Sequence, residues 1–128
     1  MTPNTSDRPE PTSNLIEIKR LTKRYGKVRA LNELDLSVKS GEVYGFLGRN
    51  GAGKSTTIRI MMGITKPTSG ALLLFGKPLD KNRNELRQSI GYVAQEQNFY
   101  GWMTPKSIGE FVRGFFPTWD DMEYRRLI

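Results

Sequence analysis

The sequence contains no cysteine and no histidine. The first absence excludes disulfides, thiolate metal sites and cysteine nucleophiles. The second removes the commonest general base and the commonest zinc ligand together. Long apolar runs are lacking too. "ALLLF" at 71–75 is the longest local one, far short of the roughly 20 residues a membrane-spanning helix needs. Acidic residues are the scarcer charge, 13 against 20 Lys and Arg, for a formal net charge of +7. The cations are scattered (Lys19, Arg20, Lys23, Arg24, Lys27, Arg29, then Lys77, Lys81, Arg83, Arg87). No block forms a binding tract, so they read as solvated surface and nucleic acid is not the expected partner.

What is present suits one domain: 128 residues, 37% hydrophobic and 10% aromatic. The opening "MTPNTSDRPEPTSN" (1–14) is rich in Pro, Ser, Thr and Asn. It lacks the apolar segment of a signal peptide and reads as a disordered tail on a cytoplasmic chain. From residue 15 onward the pattern is structured. "LIEIKRL" alternates as a half-buried strand, Gly26 marks a turn, and Leu31, Leu34, Leu36 and Val38 give a second strand of period two. "VYGFLG" (43–48) predicts a strand covered on both faces. "KSTTIRIMMGI" (54–64) predicts a helix with Ile58, Met61 and Met62 on one side. "ALLLFGKPL" predicts a strand turning at Gly76, "NRNELRQSI" a short helix and "IGYVAQEQ" a strand entering a polar loop. Thr104 and Pro105 start a further helix, with Ile108, Phe111, Val112 and Phe115 as its buried face. Asp120, Asp121 and Glu123 suit the N-terminal end of a last helix.

Between the predicted strand and the helix lies "GRNGAGKST" (48–56). Gly48, Gly53, Lys54 and Ser55 have the spacing G-x-x-x-x-G-K-[ST]. A triphosphate needs several backbone N–H donors turned inward at once, which only a loop of little side-chain bulk permits. Lys54 is a mobile point charge that reaches β- and γ-phosphates. The Ser55 hydroxyl suits Mg²⁺, which takes oxygen ligands. Strand, loop and helix in this order point to a nucleoside triphosphate held with Mg²⁺.

The stretch Gly48, Arg49, Asn50, Gly51, Ala52, Gly53, Lys54, Ser55, Thr56 resembles the Walker A motif of ATP-binding-cassette (ABC) ATPases, with Arg49 where proline is common. "LTKRYGK" resembles that family's aromatic loop, which implies that Tyr25 stacks on adenine. "IGYVAQEQNFYGWMT" resembles its Q-loop, which implies that Gln95 positions Mg²⁺ and the attacking water. "PTSGALLLFGKPL" is similar to the segment joining the cradle helix to a β-hairpin in those domains. The resemblance covers nearly all of residues 15–128. It implies an α/β fold, a P-loop NTPase core with an antiparallel β-subdomain. Phe99, Tyr100 and Trp102 then pack a helical subdomain or face a partner protein, rather than stacking on nucleic acid.

The family also carries an L-S-G-G-Q-type signature, a Walker B strand ending in Asp before a catalytic Glu, and a switch His. None of these is in the sequence. Residues 15–128 therefore read as the N-terminal part of an ABC ATP-binding domain, truncated or a gene fragment, and the fold as incomplete. The resemblance implies an ATP-binding subunit of a transporter, an exporter by the similarity of "FFPTWDDMEYRRLI". It would bind ATP and Mg²⁺, pair with a second ATP-binding subunit and a separate multi-pass permease, and lie on the inner face of the cell membrane. Two alternatives stand beside this: a catalytically inactive ATP-binding or interaction module, and a soluble ABC protein acting on ribosomes or nucleic acid.

Overall fold

The computed structural model describes residues 14–49, 51–96 and 98–128. The expected tail lies outside these except for Asn14, which opens the first strand. The chain divides into two compact units, 1–90 and 91–128.

The first unit is built on a four-stranded antiparallel sheet in the order β2-β1-β3-β4. Its strands are β1 (Asn14–Tyr25), β2 (Val28–Lys39), β3 (Ser69–Leu74) and β4 (Lys77–Pro78). The β1–β2 hairpin turns at Gly26 (φ 56°) and the β3–β4 hairpin at Gly76 (φ 74°), both foreseen. The alternation of β1 and β2 is interrupted by register shifts. At two successive shifts, Ile18/Leu21 and Leu21/Lys23, Arg20 and Glu33 respectively take positive φ (48° and 49°). Their side chains form an ion pair at 2.8 Å, and Arg20 N–H donates to Asp35. Helix α1 (Lys54–Met61) contributes Ile60 to the core and α2 (Leu79–Arg87) contributes Leu79 and Leu86. These join Ile18, Leu21, Leu31, Leu72 and Leu74 from the sheet. Burying a side chain such as Ile60 stabilises by about 1.5–3 kcal/mol.

The buried side of α1 differs from the expected one. Thr57 and Ile60 are fully buried, while Ile58, Met61 and Met62 are only half-buried. Burial of a threonine is tolerable because its hydroxyl donates to Gly53 O at 2.9 Å. Counting hydrophobic residues alone misses such a position.

Two predicted strands are absent. Residues 43–49 and 90–94 are in no sheet, and Val43 and Leu47 are almost wholly exposed. A strand buried on both faces takes its hydrogen bonds from neighbours far away in sequence. Neither segment is part of the sheet formed by the described residues. Their composition favours a strand, but a strand exists only in a sheet.

The second unit holds α3 (Pro105–Arg113) and α4 (Asp121–Leu127). Both start as foreseen. Thr104 caps α3 in a reciprocal box with Ser107, and Asp120 accepts from the N–H groups of Met122 and Glu123. We expect Thr104→Ala to cost about 1 kcal/mol, read as faster amide exchange through the first turn of α3. Unchanged exchange would mean that the cap contributes nothing. The face of α3 is corrected. Ile108 and Val112 are half-buried, but Phe111 and Phe115 are exposed and pair edge to face at 5.4 Å. Gly109 is the buried residue instead. A methyl group there would lie 2.7 Å from Tyr124 Cζ, and the Tyr124 hydroxyl donates to Pro105 O at 2.6 Å. The interhelical seat is thus a glycine under a tyrosine, which a search for large apolar residues passes over. Phe99, Tyr100 and Trp102 are exposed rather than packed, with the Tyr100 and Trp102 rings stacked at 5.8 Å.

A candidate phosphate cradle

The loop before α1 is shaped by two glycines in the left-handed region, Gly51 (φ 85°) and Gly53 (φ 91°). Gly53 is also the N-cap of α1, with no side-chain cap. The first bond of the helical ladder is Thr57 N–H to Gly53 O at 2.9 Å. The N–H groups of Lys54, Ser55 and Thr56 therefore precede the ladder, at the positive end of the helix dipole. Bare donors at an eight-residue helix terminus, beside a lysine, fit a polyanion.

Lys54 is folded against its own loop. Its ammonium donates to Gly48 O and to Arg49 O, the latter at 2.7 Å. A methyl group at Gly48 would lie 3.3 Å from Ala52 Cβ and 3.7 Å from Lys54 Nζ, so bulk at this glycine crowds the loop and the lysine. Ala52 N–H closes the turn to Arg49 O at 3.0 Å. Asn50 lies outside the described residues. Ser55 is exposed on the first turn of α1, where a hydroxyl is accessible to a cation.

Gly53 has a second role that the motif does not reveal. A methyl group there would lie 2.5 Å from Ala30 O and 2.5 Å from Leu31 Cδ2. The end of the cradle is therefore pressed against β2. Ala30 is the extra residue of a bulge, since Lys23 pairs with Leu31 while Arg24 pairs with Arg29.

Tyr25 closes β1 at the hairpin turn and is about half exposed. Lys23 Nζ sits 4.9 Å from its ring centroid and donates to Lys66 O at 2.8 Å. The sequence reading missed Lys23. The available signal was its offset of two from Tyr25, which puts both on one face of a strand. The structure thus runs Gly51, Ala52 and Gly53 into Lys54, Ser55 and Thr56 on the first turn of α1, and places Tyr25 on the hairpin of the same unit. Gln95 belongs to the other unit, in an exposed bend.

The ABC transporter family model matches residues 31–126. BcrA of Bacillus licheniformis, a bacitracin transport ATP-binding protein, is 45% identical over 94 residues, 73% of this chain and 31% of its own length. YbhF of Escherichia coli K12, a probable multidrug ABC transporter ATP-binding protein, is 42% identical over 106 residues, 83% of this chain and 18% of its own. A solved structure of an ATP-binding subunit of an ABC transporter shares the fold with a TM-score of 0.73 at 28% identity, over 88% of this chain and 46% of that one. The chain spans less than a third of the length of either curated relative. The match takes in the glycine-shaped loop and α1, and the chain belongs to the ABC transporter family, spanning part of an ATP-binding domain of α/β, P-loop type.

Proposed function

We propose that this chain is the nucleotide-gripping part of a transporter's ATP-binding subunit. The observation that carries the reading is the uncapped N-terminus of α1 with Lys54 folded over the loop that precedes it. In this reading residues 48–56 hold the phosphates through backbone N–H groups and Lys54, and Tyr25 stacks on the base. Among the described residues no group of three or more acidic or His side chains stands ready for a metal. Mg²⁺ would then rely on the Ser55 hydroxyl and the phosphates themselves. Bound there, it would neutralise charge on the phosphate oxygens.

The relatives' names, bacitracin transport and multidrug transporter, support a transport role. The name of another relative, a Nod factor export ATP-binding protein, supports the outward direction. No helix among the described residues is long and apolar enough to cross a membrane. A separate permease on the membrane and a second ATP-binding subunit complete the proposal, with nucleotide binding drawing the two subunits together.

Titration with a fluorescent ATP analogue in the presence of Mg²⁺ tests the grip. Absence of saturable binding would end the reading. Within it, Tyr25→Ala is expected to weaken ATP by about 1–3 kcal/mol, the range for a base on an aromatic ring, and to leave inorganic triphosphate unaffected. Equal losses for both ligands would make Tyr25 a structural residue of the hairpin.

A further inference from the structure

The β1–β2 hairpin carries a charge arrangement that its own fold does not explain. Arg24 and Arg29 are direct cross-strand partners. Like charges placed opposite one another destabilise an antiparallel pair. Lys23 and Lys27 lie within the same seven residues, "KRYGKVR", which contain no acidic residue. None of the four makes an ion pair among the described residues, and Arg24, Lys27 and Arg29 are exposed. Arg29 donates only to the neutral Asn32 side chain. Elsewhere on the same hairpin a cation is neutralised: Arg20 pairs with Glu33. The repulsion at the tip is therefore left standing, next to the bulge at Ala30 whose carbonyl abuts Gly53. One residue separates Arg29 from that contact. The tip thus lies close enough to the cradle for its field to act there within about a Debye length, ~10 Å at 0.1 M salt.

We propose that Arg24, Lys27 and Arg29 form an electrostatic guide that draws the anionic phosphate tail toward the cradle, setting the association rate rather than the bound contacts. The inference rests on the proposed nucleotide site. Exposed charges of one sign beside a binding loop raise encounter rates, and salt abolishes the gain. Because the guide acts on charge, it favours free ATP over MgATP, which carries less, and does nothing for adenosine.

The test is stopped-flow binding of fluorescent ATP to the 128-residue chain and to Arg24→Gln/Lys27→Gln/Arg29→Gln, at low and high salt. Lys106→Gln/Arg125→Gln/Arg87→Gln serves as a control of equal net charge, and circular dichroism checks that all three proteins fold alike. The expected result at low salt is an association rate lowered about tenfold in the tip variant only. Dissociation stays unchanged, the difference disappears at high salt, and it is larger without Mg²⁺. Equal rates in tip variant and wild type overturn the proposal, and so does an equal slowing in the control. Unchanged nucleotide kinetics with lost binding to phosphatidylserine vesicles also overturns it, assigning the tip to a membrane face. If the wild type binds no nucleotide at all, the site itself fails and the guide with it. Binding without dependence on the tip leaves the site standing and removes the guide alone.

Discussion

Lys54→Ala is expected to lower affinity for MgATP by about 1.5–3 kcal/mol, a factor of roughly ten to a hundred. The magnitude is a difference between two states of the lysine. In the free protein its ammonium already has two neutral acceptors, Gly48 O and Arg49 O. Binding exchanges these neutral carbonyl acceptors for anionic phosphate oxygens, so bonds with one charged partner give way to bonds with two. The net gain is therefore smaller than the gross attraction, which sets the range above. A second effect separates this residue's two roles. Without ligand, removal of the ammonium frees the carbonyls of the loop, so amides around 48–53 should exchange faster. Titration with fluorescent ATP reads the first effect and hydrogen exchange the second. Unchanged affinity would remove Lys54 from the site, whatever the loop does.

Gly53→Ala and Gly70→Ala should each lower the melting temperature by about 10 °C or more, while only the first also impairs nucleotide binding. Both glycines have φ 91°, where an L side chain costs about 1–2 kcal/mol. Both also lack room. At Gly53 the methyl would lie 2.5 Å from Ala30 O; at Gly70 it would lie 2.7 Å from Leu21 Cα and meet the Arg20 carbonyl. Backbone cannot move aside as a side-chain tip does, so overpacking adds about 1–3 kcal/mol. A small domain loses roughly 4–8 °C per kcal/mol. Gly70 lies in β3, away from the loop's own sequence, and reports strain alone. Gly53 is both the pivot of the loop and the N-cap of α1, so its shift also misaligns the donors of the cradle. Thermal melts followed by titration at a temperature where both variants are folded give the comparison. An unchanged melting temperature for Gly53→Ala would show that the cradle does not press on β2.

Local features of the chain were legible where the cause is local. Gly26 and Gly76 turn their hairpins because a tight turn needs a residue tolerant of positive φ. Thr104 with Pro105 and Asp120 start their helices through bonds spanning two or three residues. The glycine loop before α1 was readable for the same reason, since its glycines and the helix start that follows are contiguous. The misreadings have one source too. In α1 the buried position Thr57 depends on a bond to Gly53 O, and in α3 the buried Gly109 depends on the ring of Tyr124, fifteen positions on. Hydrophobic spacing reports which side chains can be buried, not which are.

The sequence by itself determined the glycine loop before α1, the family and the two hairpins, because each is specified by neighbours along the chain. The tertiary structure decided three other things. Segments 43–49 and 90–94 stay outside any sheet, since strand pairing needs partners that no local composition supplies. Gly53 is seated on the bulge at Ala30, joining the cradle to the hairpin. Arg24 and Arg29 stand face to face, because hairpin register and not composition decides which residues are cross-strand partners. Register and pairing set all three, and composition alone specifies neither.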